Sequence, residues 1–222
     1  MNIAHTIILL QMSVLFCLCV IKLYYTDVLY TFNLEAKVKY ILLGSNKRMN
    51  FKSDFEDSTI SLLQIKKENF KELYLVASDP IIWEQHPEND RWKKEKFSIF
   101  YKNGLQNKFG FLLIFDKHKN EIIGSTRFYS YNKMDKAIRI GFTFISQKHW
   151  GTSINFQVKK MMLDYTFKYL DKVYFDIGKN NFRSRKAVEK LGASLFSDNK
   201  KGNVVYILKK NQFINLVDVN YQ

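Results

Sequence analysis

The densest run of chemically useful residue types is His149-Trp150-Gly151-Thr152-Ser153-Ile154-Asn155, set between an alternating apolar stretch and a stretch of helical periodicity. A strand that turns tightly into a helix leaves several backbone N–H groups unpaired at the helix N-terminus, aimed at one spot with the positive end of the dipole behind them. Such a turn is a preformed anion site. Gly151 lets a ligand approach the backbone, and Ser153 is too small to screen the amides. Plain capping of the helix would use the same residues. A second run, Asn181 to Ala193, supplies a capping Asn181, Ser184 one turn on, and Arg185 and Lys186 beside them. Here too Asn181 could only cap, and the two basic residues could only face water. A third segment, Trp83-Glu84-Gln85-His86-Pro87, carries two proton acceptors, Glu84 and His86.

Other chemistries lack their residues. Both cysteines, Cys17 and Cys19, lie in the first twenty positions, so the rest of the chain has no thiol for a disulfide, a nucleophile or a zinc site. The four histidines, His5, His86, His118 and His149, have no ligand spacing, and no Gly-Lys-Ser/Thr phosphate loop occurs. No metal is expected. The 222 residues carry a net charge of +14, and residues 1–48 hold five basic and two acidic side chains, leaving +11 from Met49 onward. The lysines are dispersed, which reads as a solvated surface, and the aromatics follow core periodicity rather than a basic-aromatic stripe. No specific nucleic-acid site is expected.

From Met1 to Ile21 there is no charged residue, and Ile7 to Ile21 is almost wholly apolar. Gln11 and Ser13 make it a marginal membrane span, and no basic residues precede it as a signal peptide requires. Two readings stay open for residues 1–48: a start placed upstream of the real one at Met49, or a membrane anchor. The expected domain is 49–222, with its core at about 60–210.

The elements that must position these residues follow from periodicity. From Ile60 onward one short strand is expected, then helices over Glu68–Ser78 and Trp92–Lys102, strands over 109–115 and 121–131 around a polar turn, and a strand through Ile138, Ile140, Phe142 and Phe144 on one face with Arg139, Gly141 and Thr143 on the other. Next come a helix after Ser153, with Ile154, Val158, Met161, Met162, Tyr165 and Tyr169 inward, a strand over 173–177, a helix over Phe182–Leu191 ended by Gly192, and a last strand over 204–208. The fold class is α+β.

This order of elements and the quoted segments resemble the GNAT N-acetyltransferases, most closely the RimJ/RimL-type branch. That branch's loop reads Tyr/Trp-Trp-Gly-Thr-Gly-hydrophobic-Asn, against His149 to Asn155 here; its Asn-x-x-Ser…Glu-Lys-Leu-Gly-Ala is matched by Asn181, Ser184 and Glu189 to Ala193. Ser153 replaces the last loop glycine, and Lys148 stands where the wider pattern has Arg or Gln.

The resemblance implies a mixed, splayed β-sheet flanked by helices behind an N-terminal hydrophobic extension, with acetyl-CoA in the gap. Pantetheine would pair with backbone at Phe142, Thr143 and Phe144, and pyrophosphate with amides among Trp150, Gly151, Thr152, Ser153, Ile154 and Asn155. Asn181 would reach the pantetheine, and Ser184 the departing sulfur. A backbone N–H near Phe144 would stabilise the oxyanion, and Glu84 or His86 would take the amine's proton. The implied activity is acetyl transfer to a primary amine of a protein N-terminus, a ribosomal protein among them, or of a small molecule, by a cytoplasmic monomer or homodimer. The competing readings are a basic ribosome- or nucleic-acid-associated binding protein without catalysis, and a membrane-tethered scaffold.

Overall fold

A computed structural model describes residues 49–199 and 202–213; the expectations for residues 1–48, including Cys17 and Cys19, lie outside them. The elements run β1 (Phe55–Glu56), β2 (Ile60–Gln64), α1 (Phe70–Ala77), α2 (Lys94–Leu105), β3 (Phe111–Asp116), β4 (Glu121–Asn132), β5 (Ala137–Ile145), α3 (Ile154–Thr166), β6 (Lys172–Gly178), α4 (Phe182–Glu189), β7 (Ser194–Asn199) and β8 (Asn203–Lys209). The architecture is α+β, as the periodicity predicts. Two short strands, β1 and β7, escape it, because a two-residue strand has no period and β7 is a polar, largely exposed strand paired only to β8.

Among the described residues the strands form one sheet in the order β1-β2-β3-β4-β5-β6-β8-β7. All neighbours are antiparallel except β5 and β6, whose parallel pairing needs the crossover that α3 supplies. Only Ala137 to Arg139 of β5 pair with β6, opposite Lys172 to Tyr174. Beyond them β5 stays bonded to β4 while β6 follows β8 as far as Gly178. The sheet therefore opens between Ile140–Ile145 and Phe175–Gly178.

The alternation expected along β5 breaks at Phe142. Its φ is +51°, and the register with β4 shifts between Ser125 and Arg127, which marks a β-bulge. Ile138 and Ile140 are buried on one face, whereas Phe142 swings to the other, its ring 4.9 Å from Tyr129 and its surface exposed. Thr143 turns back to the face of Ile140 and meets Thr126 (2.8 Å). Phe144 then lies with Phe142, against Trp83 (5.0 Å). One inserted residue thus reverses every later side chain, which a period-two reading cannot foresee.

On the Phe144 face, α1 and α2 bury Leu73, Ala77, Phe97, Phe100 and Tyr101 with Trp83, Phe111 and Leu113. On the other, α3 buries Val158, Met162, Leu163 and, unlike the expected stripe, Lys159. Beyond α1 the Asp79 carboxylate accepts from Ile81 N–H (3.1 Å) and starts the 3-10 turn Pro80–Trp83 that brings Trp83 onto the sheet.

Candidate active site

The segment between β5 and α3 is anchored at both ends. A 3-10 turn, Gln147–His149, follows β5, and the indole N–H of Trp150 donates to Ile145 O (2.9 Å). His149 is buried 3.4 Å from Asp116. Burial would raise the Asp116 pKa, but N–H groups of Lys119 and His118 and the His149 ring hold it below its usual value. Past Trp150 the chain turns on Gly151 at φ +76°, a conformation that strains any residue with a Cβ.

Thr152 Oγ1 donates to His149 O (2.7 Å) and accepts from Ile154 N–H (3.3 Å). The first helical bond runs from Gln157 N–H to Ser153 O (2.9 Å). Among the described residues, the N–H groups of Gly151, Thr152, Ser153, Asn155 and Phe156 thus have no protein acceptor. A Cβ placed on Gly151 would meet nothing within 4 Å, so the loop's side is open. Unpaired donors around an αL turn at a helix N-terminus suit a diphosphate.

The donors continue along β5. Ser146 N–H donates to Ile123 O (2.7 Å), so by the alternation of an antiparallel ladder Phe144 N–H faces β4 while the polar groups of Ile145 face the gap. Trp150 takes the carbonyl there; the amide side of the edge stays available to an extended ligand.

Across the gap, Asn181 Oδ1 accepts from Ser184 N–H (3.1 Å), so Asn181 caps α4. The Ser184 side chain is half-buried and has no hydrogen bond among the described residues. Arg183 ties the three expected segments together: its guanidinium lies 4.1 Å over the Trp150 ring and 3.5 Å from Glu84, and its N–H donates to Gln85 (3.2 Å). Pro87 packs on Gly178, where a Cβ would come within 2.6 Å of it. Lys186 is exposed as expected, but Arg185 is not free, since it binds Tyr206 Oη (3.1 Å) and Lys179 O (3.0 Å).

Glu84 is exposed beside α4, whereas His86 is turned into the protein. His86 Nδ1 accepts from Glu88 N–H (2.9 Å), and Nε2 faces Arg91 at 3.3 Å. Burial and then the Arg91 charge lower its pKa to about 4, which keeps the ring neutral and weakly basic.

Three groups escaped the sequence reading. Lys159 hides behind β5, its Nζ 2.6 Å from Thr143 Oγ1. Tyr129 Oη donates to Asp176 (2.8 Å), which Arg139 also binds at 2.5 Å, just where β5 and β6 part. Arg127 lies under Phe142. A lysine on an apolar face was the one available cue.

A family profile described as an acetyltransferase (GNAT) domain matches residues 60–194. Among solved structures, a GCN5-related N-acetyltransferase from Brucella melitensis superposes with a TM-score of 0.66 at 14% identity, over 77% of this chain and 84% of that one. Spermidine N-acetyltransferase from Vibrio cholerae, in complex with CoA and spermine, gives 0.55 at 15% identity, over 72% and 100%. Ribosomal-protein-S5-alanine acetyltransferase from Vibrio fischeri gives 0.53 at 15%, over 72% and 98%. No curated protein sequence matches. Among the described residues no helix is long and apolar enough to cross a membrane. With the family profile covering more than half of the sequence, on a sheet opened at β5 and β6, the chain belongs to the GNAT acetyltransferases.

Proposed function

We propose that this enzyme transfers the acetyl group of acetyl-CoA to a primary amine of a protein N-terminus or small molecule by direct attack, as in the RimJ/RimL-type branch. The observation that carries the reading is the set of five unpaired amides from Gly151 to Phe156, laid beside the open edge of β5. Acetyl-CoA supplies a thioester carbonyl open to attack. Amides from Gly151 to Phe156 bind the diphosphate, the edge through Phe142 to Ile145 aligns the extended arm, and a backbone N–H there meets the charge that builds on the carbonyl oxygen.

The amine nitrogen bonds the carbonyl carbon as the carbon–sulfur bond breaks. Its surplus proton leaves to Glu84, directly or through water, and the departing sulfur takes a proton from the uncommitted Ser184 hydroxyl, which water replaces. His86 is the weaker candidate base because both ring nitrogens already face donors. Support for the branch is the Trp150-Gly151-Thr152 turn with Asn181 and Ser184 across the gap.

Calorimetry with acetyl-CoA, with and without competing RNA, tests the reading. A single saturable site indifferent to RNA is expected. No heat with acetyl-CoA, or displacement by RNA, would favour a basic binding protein instead.

A further inference from the structure

Two arginines are buried together on the face of the sheet where Phe142 and Phe144 lie. Arg91 is 3% exposed and Arg127 4% exposed, and their guanidinium carbons sit 4.8 and 4.1 Å from the centroid of the same ring, Phe100. Arg91 has a carboxylate partner, Glu88 at 2.7 Å, while its Nη1 faces the neutral His86. Arg127 has none. Its Nη2 donates to Phe100 O (2.6 Å), and Phe111 and Phe142 pack at 4.2 and 4.8 Å from its guanidinium carbon. The buried Nε atoms of both arginines lack any acceptor among the described residues. Arg139 and Asp176, where β5 and β6 part, answer each other.

A buried guanidinium without an anion is costly, because the charge gives up its hydration with no partner charge in return. The chain nevertheless makes room for this one. A Cβ on Gly104, near the end of α2, would lie 2.6 Å from Arg127 Nη2 and 2.4 Å from the Phe111 ring. Gly in place of Ala weakens a helix. Burial and the nearby Arg91 pull the Arg127 pKa down to about 9, the mark of a cation short of negative charge. Phe142 covers the guanidinium on the side of the gap, 4.8 Å from its carbon, and is itself 41% exposed at the bulge of β5, the strand that would hold the thioester.

Resting on the transferase reading above, we infer that the acceptor bears a carboxylate close to its amine, and that Arg127, backed by Arg91, binds that carboxylate beside the bulge at Phe142. Planar guanidinium forks match carboxylates in two parallel bonds. The same surplus of positive charge disfavours polyamines as acceptors. The carboxylate can come from the backbone of a free amino acid or from the acidic side chain of a peptide's first residue.

The test uses the full chain saturated with CoA and reads binding of acetylated products by calorimetry. The probes are N-acetyl amino acids and their methylamides, amide-capped N-acetyl peptides beginning with Asp or Asn, and N-acetylspermidine. Each carboxylate is expected to bind at least tenfold more tightly than its amide in one of the two arms, which identifies the source, and Arg127→Met should erase the difference while CoA affinity stays unchanged. Equal binding of carboxylates and amides, tight binding of N-acetylspermidine, or discrimination that survives Arg127→Met would overturn the inference.

Stability gives an independent readout, since Arg127→Met removes an uncompensated buried charge and should hold or raise the ligand-free Tm. A fall in Tm of several degrees would assign Arg127 to packing instead. Failure to bind CoA would sink the transferase reading separately, and the carboxylate titrations would then be run on the free protein.

Discussion

Lys159 Nζ lies 2.6 Å from Thr143 Oγ1 and 3.5 Å from Thr126 Oγ1, so a buried ammonium on α3 has hydroxyls for partners directly behind the bulge of β5. Thr143 and Thr126 are 2.8 Å apart, and Thr126 donates on to Met162 Sδ (3.6 Å), which orders a chain of donors across the strand pair. Desolvation lowers the Lys159 pKa to about 7.

Because the folded value lies below that of the unfolded chain, the unfolded state holds the extra proton between about pH 7 and 10.5. Stability contributed by this site should rise with pH across that window, by at most about 1.4 kcal/mol per pH unit. Lys159→Met should flatten the rise, as read from urea denaturation at pH 7, 8 and 9. An identical pH slope in the variant would refute the assignment.

Gly151→Ala places a Cβ at φ +76° in otherwise open space, so its cost is backbone strain of about 1–2 kcal/mol without a clash. The loop should relieve that strain by rotating amides away from the anion site. We expect a fall in acetyl-CoA affinity of about tenfold with a smaller change in kcat at saturation, measured by calorimetry beside steady-state kinetics.

Gly124→Ala tests the opposite case. On β4, opposite Ile145, an added Cβ would come within 2.0 Å of Phe144 O and 3.0 Å of Ile145 Cα, both backbone. Neither strand can yield without moving the open edge of β5. A loss of roughly 3 kcal/mol or more is expected, in line with overpacked interiors, and the surviving folded protein should bind acetyl-CoA poorly. A stable variant with normal affinity would show that the spacing of β4 and β5 does not set the edge.

Asn181 and Ser184 separate capping from chemistry. Asn181→Ala removes the acceptor for Ser184 N–H and should cost about 1 kcal/mol, which Asn181→Asp restores by capping alike. If Asp restores Tm but not acetyl-CoA affinity, Asn181 also serves the ligand. Ser184→Ala leaves the backbone bond intact and should lower kcat about tenfold with Tm unchanged; an unchanged kcat would remove Ser184 from the reaction.

Element order, the strand-to-helix turn at Gly151 and the cap at Asn181 were legible in the sequence because each depends on neighbours within one turn. Periodicity, a glycine where φ must be positive and a short polar cap are local requirements. What could not be read there came from contacts between distant segments. The bulge at Phe142 puts an aromatic residue at positive φ, against its own preference, where β5 pairs with β4 and the ring meets Tyr129. Lys159 and Arg127 are ordinary surface types by composition, and only the closure of α3 and α2 over the sheet removes them from water.

The sequence by itself determined that this chain builds an α+β domain with a glycine turn into a helix after its central strand. Tertiary structure alone decided that the sheet opens beside that turn, that Arg183 joins Trp150 to Glu84, that His86 faces inward, and that the buried Arg127 guanidinium has no carboxylate partner among the described residues. The physical reason is range. Backbone conformation is settled over a few residues, whereas burial, charge pairing and strand divergence are settled by segments that meet only when the chain has folded.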